Sequence, residues 1–209
     1  MIRFINSLRR HRWRILGRLK IRGEVRKKVD SGQPVKVILG SSITGFDGWL
    51  STDLPHFDIT LAKDWDYLFK EGSIDNLLAE HVFEHLSPAQ SETAFYLIRK
   101  YLKKNGVFRI AVPDGYHESP DYIEYTRPGG SGPGCDDHKI LWNKDLLSKM
   151  SLECGLKIQL LQYYDSNHQF TDSYQDDQNG IILRSFEKLK SDQSTSFRMS
   201  SLIADLRVK

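Results

Sequence analysis

The chain has 209 residues, 27% of them charged and 39% hydrophobic, which is typical of one globular domain with a short appendage. Its net charge of +3 is uneven, because residues 1–28 hold 11 Lys or Arg and one acid, Glu24, and leave the remainder net negative. No apolar run approaches the ~20 residues that span a bilayer, and Cys135 and Cys154 lack the spacing of a zinc site or a disulfide framework, so we expect a cytoplasmic protein.

Residues 1–30 are predicted to form a basic amphipathic helical segment ahead of a domain that spans residues 31–209. Apolar residues recur there at roughly helical spacing, with arginines between them: Ile2, Ile5, Leu8, Trp13, Leu16 and Leu19. Such a helix either packs its apolar stripe on the domain or lies peripherally on an anionic membrane or another polyanion. The acidic domain shows no basic patch with interleaved aromatic residues, so we expect no specific nucleic-acid binding. Both a monomer and a homodimer are compatible with the sequence.

The domain begins with two short apolar runs that predict buried parallel strands. Val37–Leu39 stops at Gly40, and Trp49–Thr52 ends on Asp53. Only nine residues separate Gly40 from Leu50, so a helix between these strands must be shortened or absent.

The remaining pattern alternates strands and helices. A helix is predicted from the capping Ser87 to the stop at Asn105-Gly106, and another over Asn143–Glu153. Residues 115–135 read as an irregular loop or lid, and residues 188–197 as a turn. Further strands are predicted at Phe57–Leu61, Ser73–Ala79, Val107–Val112, Leu156–Leu161 and Ser201–Val208, with an edge strand at Ile181–Phe186. This alternation predicts an α/β fold with a mostly parallel sheet that is covered on both faces.

Polar residues follow the carboxyl ends of four predicted strands. They are Gly40-Ser41-Ser42, Asp53, Glu80-His81 and Asp114. Ligands of open α/β sheets bind at this edge, and an acid after the second strand can accept both ribose hydroxyls. The sequence therefore predicts a nucleoside site there.

Four segments in this order resemble the small class I S-adenosylmethionine-dependent methyltransferases, the type 11 or predicted methyltransferase branch. The segments are VILGSS…GWLSTDL, SIDNLLAEHVFEHL, LKKNGVFRIAVPD and HKILWNKDLLSKMSLECGLKI, which together cover roughly residues 35–161. The resemblance implies a Rossmann-like, doubly wound, mostly parallel seven-stranded sheet whose last strand, SSLIADLRVK, is antiparallel. It also implies S-adenosylmethionine as the cofactor.

The same resemblance implies roles for individual residues at the strand ends. Asp53 would bind the ribose hydroxyls with Leu54 beside it, Asp64 would reach the adenine amine, and Asp114 would lie near the acceptor. The turn after the first strand would approach the methionine part of the cofactor, and the end of the fourth strand would line the pocket beside the sulfonium: Gly40, Ser41 and Ser42, then Glu80, His81 and Val82. The family's turn is usually Gly-x-Gly, so the Cβ of Ser42 is a departure.

Methyl transfer to an oxygen or nitrogen often needs a general base, and histidine is suited to that task near neutral pH. His138, beside Asp136 and Asp137, is the first candidate, and His117, just past Asp114, is the second. His85 is expected to be structural. The acceptor is predicted to be a small molecule or a sugar-like group that enters under the 115–135 loop.

Two alternatives come from other functional classes. His81, Glu84 and His85 match H-x-x-E-H, an inverted zinc-protease motif, but the motif follows a strand directly and the sequence offers no third ligand, so no metal ion is predicted. The altered glycine turn also permits a nucleoside-binding or scaffold protein of the same fold without turnover.

Overall fold

The computed structural model describes residues 2–42, 44–189 and 197–209, with side chains described from residue 13 onward. The described residues form one sheet with helices around it. Its strands are β1 (Lys36–Leu39), β2 (Trp49–Thr52), β3 (Ile74–Glu80), β4 (Leu102–Val112), β5 (Leu156–Tyr164), β6 (Phe170–Asp172) and β7 (Leu202–Val208). The helices are α1 (Ile2–Asp30), α2 (Ala62–Leu68), α3 (Pro88–Tyr101), α4 (Pro120–Thr126), α5 (Lys144–Glu153) and α6 (Phe186–Leu189).

The strand order is β2-β1-β3-β4-β7-β5-β6. Strands β1 to β4 pair in parallel, β7 lies antiparallel between β4 and β5, and β6 pairs antiparallel with β5. Within the described residues this is a seven-stranded, mostly parallel Rossmann-like sheet whose last strand is antiparallel, as the sequence predicts. The described part of the loop over residues 40–48 contains no helix, so β1 and β2 are joined directly.

The predicted third strand at Phe57–Leu61 is wrong, because these residues form turns. The amides of His56 and Phe57 both donate to the Asp53 carbonyl, and the Leu61 amide donates to the Asp58 carbonyl. Phe57 is buried and packs edge to face on Trp65, at 5.0 Å between ring centroids. The apolar residues of this run therefore fill the core from a turn instead of a ladder.

The edge strand predicted at Ile181–Phe186 is also wrong. Its backbone amides bond to side chains instead of a neighbouring strand: the amide of Ile182 donates to the Tyr174 hydroxyl, that of Arg184 to Glu80 Oε1, and that of Phe186 to Gln162 Oε1. The edge of the sheet on this side is formed by β6, which the sequence did not predict and which forms a hairpin with β5.

Two boundaries differ from the prediction. Helix α3 begins with a capping box between Ser87 and Gln90, as expected, but ends at Tyr101, since β4 begins at Leu102 and not after Asn105-Gly106. The predicted irregular span 115–135 contains α4, whose first turn is capped by the Ser119 side chain. The turn predicted over residues 188–197 lies largely outside the described residues.

Helix α1 is present, but its packing differs from the predicted stripe. Ile21 and Val25 belong to the main core, whereas Trp13, Leu16 and Leu19 are more than half exposed. The side chains of the other three stripe residues lie outside the described part. No helix in the described residues combines the length and the apolar character required to cross a membrane.

Candidate functional site

A cavity of about 460 Å³ opens at the carboxyl ends of β1, β2 and β3. Five of the residues predicted to contact a cofactor line it together: Gly40, Asp53, Leu54, His81 and Val82. Its remaining lining comes from the turns after β2, from the short 3₁₀ helix after β3, from the start of α3 and from the segment before α5: Phe57, Asp58, Ile59, Thr60, His85, Leu86, Gln90, Asp137 and Lys139. The described structure therefore brings together three strand ends that the sequence predicts to be neighbours.

The turn after β1 requires glycine at its first position. Gly40 has a φ of +62°, and a Cβ there would lie 2.6 Å from Val82 Cγ2. Ser41 is buried and its amide donates to the Thr52 carbonyl, while the amide of Ser42 donates to Asp53 Oδ2 at 2.7 Å. The two serines do not line the cavity; they fix the turn against β2.

Asp53 is oriented by the backbone on both sides of it. Oδ2 accepts from the Ser42 amide and Oδ1 from the Leu54 amide, each at 2.7 Å. A carboxylate has about four acceptor sites, so roughly two remain for a ligand. Asp53 is thus an oriented acceptor on the cavity wall.

Asp58, and not Asp64, lines this cavity near Asp53. Asp58 Oδ1 accepts from both the amide and the hydroxyl of Thr60, at 2.9 and 2.7 Å. Asp64 is fully buried outside the cavity lining, where its carboxylate pairs with Arg18 Nη1 at 2.6 Å and accepts from the Asp58 amide. Sequence reasoning missed Asp58 because it placed that residue inside a strand.

A second cavity, of about 320 Å³, adjoins the first and shares His81 and His85 with it. It is lined by Glu84 from the short 3₁₀ helix after β3 and by His138 from the segment after α4. Its other lining residues are Pro113, Tyr125, Thr126, Pro133, Gly134, Cys135, Arg184 and Met199. His81 and His85 therefore line both cavities, at the same edge of the sheet.

His81 has a polar neighbour on each side of its ring. Its φ is +55°, its Nε2 lies 2.9 Å from Ser201 Oγ, and its Nδ1 lies 3.0 Å from Glu84 Oε1. The Ser201 hydroxyl donates to the Arg184 carbonyl, so Ser201 Oγ accepts the proton of His81 Nε2. Burial raises the pKa of Glu84, but His81 and His85 outweigh it and hold that pKa below its ordinary value.

His138, the first candidate for a general base, faces the second cavity. Its Nδ1 lies 2.8 Å from the Thr126 carbonyl. Because a carbonyl only accepts, Nδ1 carries a proton, and Nε2 is the acceptor nitrogen of the neutral ring. The His138 ring also packs edge to face on His85, with 4.8 Å between centroids.

The other predicted site residues lie outside both cavity linings. His117 is buried against Tyr122, Nδ1 accepts from the Ser119 amide, Nε2 donates to the Arg198 carbonyl, and burial lowers its pKa. Asp114 is also buried, where it accepts from the amides of Tyr116 and Tyr164, and burial raises its pKa to about 6. Glu80 Oε1 accepts from the Arg184 amide at 2.6 Å.

Comparison with protein-family models and with curated proteins gives no match. Solved structures do match. One is a complex between the Haloferax volcanii Trm112 methyltransferase activator and a putative methyltransferase, at 13% identity and a TM-score of 0.50 over 84% of this chain and 82% of that one. Two others are a SAM-dependent methyltransferase from Archaeoglobus fulgidus (13% identity, TM-score 0.48, 92% and 94% of the two chains) and one from Thermotoga maritima described as a possible histamine N-methyltransferase (14%, 0.48, 99% and 97%).

The likeness to the Haloferax volcanii complex, at a TM-score of 0.50 and 13% identity, speaks to the fold and not to a substrate. The strand order and the antiparallel last strand agree with it. The chain has the Rossmann-like fold of the class I S-adenosylmethionine-dependent methyltransferases.

Proposed function

We propose that this protein is an S-adenosylmethionine-dependent methyltransferase that binds the cofactor in the first cavity and a small-molecule or sugar-like acceptor in the second. The observation that carries the proposal is that the two cavities adjoin and share His81 and His85 in their linings. Adjoining cavities can hold a donor and an acceptor next to each other, and proximity is the main contribution a protein makes to this kind of transfer.

The first cavity fits the cofactor in size and chemistry. Its volume of about 460 Å³ lies within the roughly 300–1,000 Å³ of small-molecule sites. Asp53 offers its remaining acceptor sites to the ribose hydroxyls, Phe57 and Ile59 offer apolar surface to the adenine, and Asp58 offers an acceptor to the adenine amine. When bound, the cofactor supplies an electrophilic methyl group on a sulfonium.

In the second cavity, His138 is the proposed base. Its Nδ1–H is committed to the Thr126 carbonyl, so Nε2 can take a proton from an acceptor hydroxyl or amine. We assign supporting roles to the other two predicted catalytic residues: His117 and Asp114 hold the segment after β4 against its neighbours from buried positions.

Calorimetric titration with S-adenosylhomocysteine tests the proposal. We expect the parent protein to bind and Asp53→Ala to bind at least about tenfold more weakly, since hydrogen bonds to a charged group contribute about 1.5–3 kcal/mol and about 1.4 kcal/mol is a factor of ten. Asp47→Ala is the matched control, because Asp47 is an exposed aspartate six residues earlier, outside both cavity linings. A parent that does not bind would leave the scaffold alternative.

A peripheral contact with anionic membrane or another polyanion through α1 is a second proposal. It is supported by the exposed side chains of Trp13, Leu16 and Leu19, which lie among the arginines of this helix. We expect full-length protein to co-sediment with phosphatidylserine vesicles and Trp13→Gln/Leu16→Gln to lose that binding. Leu183→Gln, at an exposed leucine elsewhere, is the control. Equal sedimentation of all three proteins would contradict the proposal.

A further inference from the structure

Three metal-ligating side chains meet at the second cavity. Glu84, His85 and His138 each offer one ligand atom, and these atoms all lie within 4.8 Å of one another. Backbone hydrogen bonds bring the two segments together, since the amides of Lys139 and Ile140 both donate to the Glu84 carbonyl, at 2.6 and 3.3 Å. Lys139 Nζ also donates to the His85 carbonyl at 2.7 Å. The cluster is therefore fixed by main-chain contacts and does not depend on chance proximity of mobile side chains.

The carboxylate of Glu84 is the least satisfied polar group of the cluster. Its side chain is 1% exposed, and neither oxygen has a well-formed hydrogen bond to any described residue. The nearest polar contact is His81 Nδ1, 3.0 Å from Oε1, which leaves Oε2 unpaired. A buried carboxylate in this state is costly unless it is paired with a cation or coordinates a metal.

His138 is also arranged as a metal-ligating histidine commonly is. A ligating histidine usually donates its second ring N–H to a carbonyl or carboxylate, which fixes the tautomer that leaves the other nitrogen unprotonated. His138 Nδ1 donates to the Thr126 carbonyl in this way. The buried Nδ1 of His85 makes no well-formed hydrogen bond within the described residues and lies 3.4 Å from Asp137 Oδ2.

We propose that Glu84, His85 and His138 bind a divalent transition-metal ion, with zinc as the occupant, at the floor of the second cavity. Two imidazoles and one carboxylate form a donor set that zinc accepts, and three protein ligands leave a fourth position for water or an acceptor oxygen. This ligand set differs from the H-x-x-E-H set, because His138 takes the place of His81. With Nδ1 committed to the Thr126 carbonyl, Nε2 is the nitrogen of His138 that binds the ion, and in the zinc-bound protein it cannot also take a proton from the acceptor. A metal ion here therefore replaces the general-base role proposed for His138, and only an acceptor oxygen as the fourth ligand rests on the proposed function.

Zinc binding by metal-free protein tests the proposal. The full chain is stripped with a chelator and titrated with zinc against a chromophoric competitor, and bound metal is counted by elemental analysis. We expect one zinc per chain in the parent. His85→Ala and His138→Ala should bind at least about tenfold more weakly, because even the loss of an outer-shell partner costs about 10–100-fold. His168→Ala should bind as the parent does, since His168 is exposed and outside the cluster.

Two further measurements keep the result interpretable. Circular dichroism verifies that each variant is folded, and cobalt(II) in place of zinc gives visible absorption in the parent that reports nitrogen and oxygen ligation directly. Absence of zinc binding and of this absorption in the parent would overturn the proposal, as would equal affinity in His138→Ala and His168→Ala. Titration of the metal-free parent with S-adenosylhomocysteine separates the two proposals, because Asp53 is not one of the three ligands and, of those three, only His85 lines the first cavity.

Discussion

At the scale of single residues, Gly40 carries the tightest steric constraint on the cofactor side. A methyl group there adds the cost of a left-handed backbone, about 1–2 kcal/mol, to overpacking against Val82, about 1–3 kcal/mol. We therefore expect Gly40→Ala to lower the free energy of unfolding by roughly 2–5 kcal/mol, the sum of those two terms. Urea unfolding measures this.

Two variants separate these causes. Gly48 also has a positive φ, of +81°, but no atom lies within 4 Å of its added Cβ, so Gly48→Ala should show the backbone cost alone. In a Val82→Ala background, Gly40→Ala should lose its overpacking cost and approach Gly48→Ala. Equal effects of the two glycine substitutions in the parent would contradict the contact with Val82.

Asp114 predicts a pH dependence whose sign follows from its burial. Its folded-state pKa is raised from 3.8 to about 6, so the folded protein binds more protons than the unfolded chain between these values. The contribution of Asp114 to the free energy of unfolding is therefore fully present below about pH 4 and is lost as the pH rises through about 6, by roughly 3 kcal/mol at about 1.4 kcal/mol per pKa unit. Asp114→Asn should lack this contribution. NMR titration of the Asp114 carboxyl carbon measures the pKa directly, and a midpoint at or below about 4 would refute it.

Residue types at strand ends were predictable, but their partners were not. Asp53 and His81 could be placed at the site because parallel strands end at a common edge. Asp58 lines the first cavity because of a turn that the sequence did not reveal. Asp64 does not line it and pairs with Arg18, which is 46 residues away in the chain. The proximity of His138 to Glu84 likewise depends on backbone contacts across more than 50 residues.

At the scale of elements, the apolar pattern correctly predicted strands whose backbones pair with neighbouring strands in the sheet. Strands β1, β3 and β7 follow apolar runs that the sheet buries, so pattern and structure agree. Both wrongly predicted strands have apolar runs of strand length whose amides are instead taken by turns or by side chains such as Tyr174 and Gln162. An apolar run reports burial, and burial alone does not determine a hydrogen-bonding partner.

At the scale of the whole molecule, both cavities lie at the sheet edge formed by the carboxyl ends of β1 to β4. Residues from α1 are part of the hydrophobic core beneath this edge. Ile21 and Val25 pack with the domain, and Arg18 pairs with the buried Asp64. These contacts connect the basic segment physically to the domain, although the sequence predicts a boundary at residue 30. Whether α1 is a separate unit therefore depends on whether it unfolds together with the domain.

We expect the second half of α1 to unfold with the domain, because its buried side chains leave the core only when the core opens. Urea unfolding followed by tryptophan fluorescence and by far-ultraviolet circular dichroism should give coincident transitions. In native-state hydrogen exchange, amides of residues 21–30 should show an opening free energy close to the global value, whereas a separate unit would open at much lower cost. An opening free energy of these amides well below the global value would instead support the predicted domain boundary at residue 30.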